Sequence, residues 1–211
     1  VGFSEQLSLG GSNTSQSNAK DVAVNNSGYI GTETDGSSAI VAQSIGGGGG
    51  FAAGTQQVLT SGQGSGDSGN LSITNVAASE VQSAGIYTAG KYAHGIMAQS
   101  IAGGGGYANL MDKNGNLTGF FTGTAGGTGR AGNVNIVQQG NISTLGEGSY
   151  GIFAQSVGAE NGNLSIHVGQ DSVLVGGKGA GAAIGMFDGR SNLLTNAGYL
   201  TGYGQIGGLY L

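Results

Sequence analysis

Apolar residues recur along this chain in short pieces that alternate with polar ones. "NLSIT" (70–74), "NVNIV" (133–137) and "NLSIH" (163–167) have the period of a half-buried strand. "GYIGT" (28–32), "GNIST" (140–144) and "GYLTG" (198–202) form a second set. Pieces beginning at Ile40, Ile96 and Ile152 form a third. The sets keep a fixed spacing. Ile30 precedes Ile40 by ten residues, as do Ile86 and Ile96, Ile142 and Ile152, and Leu174 and Ile184; Leu200 precedes Leu209 by nine. Val24, Ile136 and Leu194 lie six residues before the second set, Ile166 eight and Ile73 thirteen. Five units of three strands result.

No helical period persists over ten residues, and glycine this dense costs a helix about 1 kcal/mol per position. Short strands repeated in series predict an all-β chain. The expected fold is a right-handed parallel β-helix (β-solenoid) of about five or more turns, in one fragment spanning 1–211. Ile30, Ile86, Ile142, Leu174 and Leu200 form one expected inward ladder. Ile40, Ile96, Ile152, Ile184 and Leu209 form another.

The third strands share a motif: "IVAQSI" (40–45), "IMAQSI" (96–101) and "IFAQSV" (152–157). Period two places Ala42 inward and Gln43 outward. Ile45 breaks that parity, which predicts a bend near Gln43–Ser44. Gln43, Gln99 and Gln155 then sit at equivalent corners and are expected to form a side-chain amide ladder.

Glycine runs follow two of these motifs, at 46–50 and 103–106. They open Gly-rich insertions at 46–69 and 102–132. Asn114-Gly115 between two apolar runs predicts a hairpin in the second insertion; a further, degenerate turn is the alternative. This arm concentrates Tyr107, Leu110, Met111, Leu117, Phe120 and Phe121. Such a cluster either packs back on the stack or meets a partner or a second copy, because binding hot spots favour desolvated aromatics.

The runs are not phosphate loops. That pattern needs Lys followed by Ser or Thr after the glycines, and "VGGKGAG" around Lys178 has Gly there instead. The chain has 48 glycines and no proline, cysteine or tryptophan. The lack of cysteine excludes a disulfide scaffold. Net charge is −5 with six Lys plus Arg, which argues against nucleic acid. No apolar run approaches the length of a membrane-spanning helix.

Candidate chemistry is thin. His94 falls where other copies have Ala39 and Tyr150, a variable position expected to face outward; His167 ends a first strand and is likewise expected at the surface. Glu33 with Asp35, and Asp188 with Arg190, are the densest charged groups. A glycan-processing enzyme would need several of these in one groove; each alone reads as a solvated turn. The enzyme reading loses its basis if Glu33, Asp35 and Glu147 lie far apart on different faces. No cofactor or metal motif occurs. Six Asn-x-Ser/Thr sequons, at Asn13, Asn25, Asn70, Asn116, Asn141 and Asn163, fit a chain rich in these residues.

The block "GI-x-AQSIGGGGG" resembles the passenger regions of Gram-negative autotransporters, exported by type V secretion. Gly28, Ile30, Thr32, Ile40, Ala42, Gln43, Ser44 and Ile45 match that pattern, as do Gly140, Ile142, Ile152, Ala154, Gln155 and Ser156. The match covers about 20–158 well and 159–211 by spacing alone. The resemblance implies a β-helical stalk exported to the cell surface; with the thin chemistry above, the chain is expected to be a non-catalytic adhesin attaching to cells or glycans or to copies of itself. It implies contact with the membrane through a translocator barrel not seen in these residues. A glycan-processing β-helix enzyme is the alternative.

Overall fold

The computed structural model describes residues 7–9, 16–54, 58–60, 64–76, 85–124, 127–204 and 208–210. The Asn13 sequon lies outside the described residues. The described residues form twenty strands and no helix.

Three five-stranded sheets each take one strand from every unit, in unit order, and every pairing in them is parallel. The first holds Val22–Asn26, Leu71–Asn75, Val134–Gln138, Leu164–Val168 and Asn192–Asn196. The second holds Ile30–Thr32, Gly85–Thr88, Asn141–Thr144, Val173–Gly179 and Tyr199–Gly204. The third holds Ile40–Ile45, Ile96–Ile101, Ile152–Val157, Ile184–Phe187 and Leu209–Tyr210.

The register is the one the spacing predicts. Ile30 pairs with Ile86, Ile86 with Ile142, Ile142 with Leu174 and Leu174 with Leu200. Ile40, Ile96, Ile152, Ile184 and Leu209 pair in the same way. Val24, Ile73, Ile136, Ile166 and Leu194 make the third ladder. Residues of all three sheets pack into one apolar core. The terminal units close it less well: Ile30, Leu194 and Leu200 are partly buried, and Leu209 is 37 % exposed.

The bend expected near Gln43–Ser44 is absent. The strand runs unbroken from Ile40 to Ile45 with alternation intact, so Ser44 points inward and Ile45 outward. Outward Ile45 and its equivalent Ile101 are covered from outside, Ile101 completely.

Serine is inward because it joins units. Ser44 Oγ donates to the Lys20 carbonyl and accepts from the Gly69 N–H. Ser100 does the same with Gly69 and Gly132, and Ser156 with Gly132 and Gly162, all at 2.8–2.9 Å. Each hydroxyl uses its one donor and a lone pair to fasten the entry of one unit to the entry of the next.

Corners repeat a second device. The Asp21 carboxylate accepts from the Asn70 N–H, Asn70 Oδ1 from the Asn133 N–H, and Asn133 Oδ1 from the Asn163 N–H. The expected glutamine ladder is present: Gln43 Nε2 donates to Gln99 Oε1 at 2.7 Å, and Gln99 Nε2 to Gln155 Oε1 at 2.8 Å. Asn26, Asn75 and Gln138 make another amide column, buried at Asn75 and Gln138.

Candidate functional site: the glycine-hinged arm and its aromatic layer

After Ile45 and Ile101 the chain reverses onto the outer face of the third sheet. Four successive glycines have positive φ at each reversal, Gly47–Gly50 and Gly103–Gly106. The reversal is also tight: a Cβ on Gly105 would lie 2.1 Å from the Gly123 carbonyl oxygen. Only glycine combines such dihedrals with so close an approach. Position 46 needs no positive φ, and its equivalent in unit two is Ala102.

Beyond the hinge the second insertion is the hairpin that Asn114-Gly115 predicts. Gly105–Met111 pairs antiparallel with Leu117–Thr124. Asp112 ties its tip, accepting from the N–H groups of Asn114 and Asn116 and from the Asn116 amide. These bonds hold the Asp112 carboxyl below the usual carboxylate range. The first insertion is more than a loop. Its strand Gly49–Gly54 pairs parallel with Gly105–Leu110, at the same 56-residue offset as the glutamine ladder. The two insertions therefore build one three-stranded sheet, a second layer over the third sheet.

The arm packs back on the stack. Tyr107 is fully buried and Leu117 nearly so, while Leu110, Met111, Phe120 and Phe121 are half-buried. Tyr107, Phe120 and Thr122 face inward. Phe51, Tyr107 and Phe120 stack across the layer, with ring centroids 5.4 and 5.2 Å apart. Beneath them Met97, Tyr150, Phe153 and Ala182 form a second apolar cluster, with Phe120 and Phe187 against it. Phe153 and Phe187 stack at 4.5 Å. Strand alternation turns Leu110 and Phe121 to the other side of the arm.

His94 sits at the centre of this layer, a correction to its expected outward place. The register aligns it with Ser38 and Tyr150, one residue from the expected Ala39: Ser38 Oγ accepts the His94 N–H, and His94 Nδ1 accepts the Tyr150 N–H at 3.0 Å. Accepting at Nδ1 puts the ring proton on Nε2, which donates to the Tyr107 hydroxyl at 3.0 Å. The rings of Tyr107, Phe120, Tyr150 and Phe153 surround the imidazole at 5.3–5.7 Å. It is completely buried, and desolvation alone brings its pKa down to about 3. The same burial raises the Tyr107 hydroxyl. His167 is exposed, as expected.

Two further ties hold the arm. Gln99 Nε2 donates to Thr122 Oγ1, which donates to Gln155 Oε1 at 2.6 Å, so the arm enters the glutamine ladder. The Tyr92 hydroxyl donates to the Thr118 carbonyl. Nothing in the sequence marked Thr122 or Tyr92; their partners come from another unit or from the insertion itself.

The candidate carboxylates are parts of the stack. Asp35 accepts from the Lys91 N–H, and the Lys91 ammonium pairs with Glu147 at 3.7 Å, so Asp35 and Glu147 share one corner with a lysine between them. Asp67 accepts from the Arg130 N–H, and Arg130 pairs with Glu160 at 3.2 Å. Asp188 accepts from Gln155 Nε2, while Arg190 contributes its backbone N–H to Gly162. Glu33 is exposed. Among the described residues no group of three or more His, Cys, Asp or Glu is placed to hold a metal ion. Comparison with family models, curated proteins and solved structures finds no match.

Proposed function

We propose that the chain winds as a right-handed parallel β-helix of five turns and serves as a non-catalytic stalk of the autotransporter-passenger type. In this reading it stands at the cell surface and attaches to cells, glycans or copies of itself. One observation carries the proposal: the polar side chains of the stack are spent on joining turns. Ser44, Ser100, Ser156, Asn70, Asn133, the three motif glutamines and the carboxylates of Asp21, Asp35 and Asp67 all bind the neighbouring turn. A stack so built is a scaffold, and the arm is the element that departs from it.

Contact belongs to the arm's outer side. Tyr107, Leu117 and Phe120 hold the arm down, whereas Leu110 and Phe121 face away from the stack. Replacing both by serine tests this. Adhesion or self-association by cells displaying the protein should fall at least tenfold, with the β-sheet spectrum retained. Unchanged adhesion by a folded double variant would remove the arm from the contact surface.

A further inference from the structure

The arm is a hinged element held over a buried histidine. Glycines of positive φ lie at both of its ends, Gly103–Gly106 and Gly123. Between them the arm rests on aromatic rings, on the Thr122 bridge and on the His94–Tyr107 bond. His94 is bonded on both nitrogens in a way that only the neutral ring satisfies: a second proton on Nδ1 would face the Tyr150 N–H, donor against donor.

Among the described residues no charged group faces the ring to offset that proton. From the arm come the Tyr107 hydroxyl and the Phe120 ring; from the third unit, Tyr150 and Phe153; from the first, Ser38 at the backbone. Lys91 and Glu147 pair with each other at an exposed corner, Tyr92 is bonded to Thr118, and Asp188 is bonded to Gln155.

We propose that the arm is an acid-released latch: protonation of His94 drives the hairpin off the third sheet while the three parallel sheets stay folded. The opening stands on the packing of the arm and is independent of what the arm contacts. Its use, uncovering Tyr107, Phe120, Met97 and Phe153 for association in acid, rests on the adhesive reading above.

The sign follows from linkage. The closed arm holds His94 down at about 3, and the open arm returns it to about 6.5. Closure is at full strength above the open-state value and weakens as pH falls from there towards the closed-state value. Between pH 7.5 and 4.5 the opening constant should rise about a hundredfold.

Hydrogen exchange of the whole chain, corrected for the intrinsic pH dependence of exchange, tests this. Amides of 105–124 that pair within the second layer should lose about a hundredfold protection, while those of Val134–Gln138 and Ile152–Val157 keep theirs. His94→Gln should flatten the response, and Tyr107→Phe should raise opening at every pH yet keep the slope. A flat wild-type response overturns the latch. So does equal loss in the parallel sheets, or an undiminished slope in His94→Gln. Should that variant not fold, the wild-type comparison and Tyr107→Phe decide alone. Adhesion measured in parallel separates the two readings: an arm that opens without gaining adhesion leaves the latch standing and removes its proposed use.

Discussion

Ser100 shows how one hydroxyl does the work of a corner. It is fully buried, donates to Gly69 and accepts from Gly132. Ser100→Ala leaves the part-buried Gly69 carbonyl and Gly132 N–H without that partner, which should cost ~1–2 kcal/mol. The exposed Ser72→Ala should stay within ~0.5 kcal/mol. Urea unfolding of the two variants measures the difference, and equal midpoints would refute the role. The sequence repeats Ser44, Ser100 and Ser156 plainly enough to mark them as structural. It does not show their partners, which are backbone groups of other units. The burial of His94 is hidden from the sequence for a related reason. Within its own unit it sits just before a strand, beside no other cue for burial. What buries it is an insertion and the ring of Phe153.

At the scale of elements the glycine run is the sharpest case. Gly105 has φ of 133°, and a Cβ there would strike the Gly123 carbonyl. Gly105→Ala should cost about 3 kcal/mol or more, and the loss should fall on the arm. The near-UV signal of Tyr107, and of Tyr92 and Tyr150 beside the arm, should collapse while the far-UV β signal persists. If both signals change together, the arm and the stack are a single cooperative element. The hairpin was legible because Asn114-Gly115 carries its turn chemistry locally. The parallel pairing of Gly49–Gly54 with Gly105–Leu110 was not. The same 56-residue offset links both, but glycine-rich strands carry no alternation by which to recognise them.

For the whole molecule, stability is set by neighbouring units fastened in series. Ile152 is fully buried in the middle unit, whereas Leu209 in the last is 37 % exposed. Ile152→Asp buries an unpaired charge and should cost ~4 kcal/mol or more; Leu209→Asp should cost roughly a third of that. Thermal unfolding of the pair checks the ranking, and similar Tm values would mean that the ends matter as much as the middle. The ladders were legible because strand parity and a ten-residue spacing survive even where the motif has decayed, as at Leu174 and Ile184. The insertions leave that spacing untouched. Both depart after the third strand of a unit, where the chain already points outward, and both return before the next first strand. After Val157 the same gap is bridged by only a few residues before Leu164. The exit behind each third strand is thus a socket: the stack tolerates a cargo of very different length there, so new surface elements can be gained, lost or exchanged while the ladder inside goes on being read in the same register.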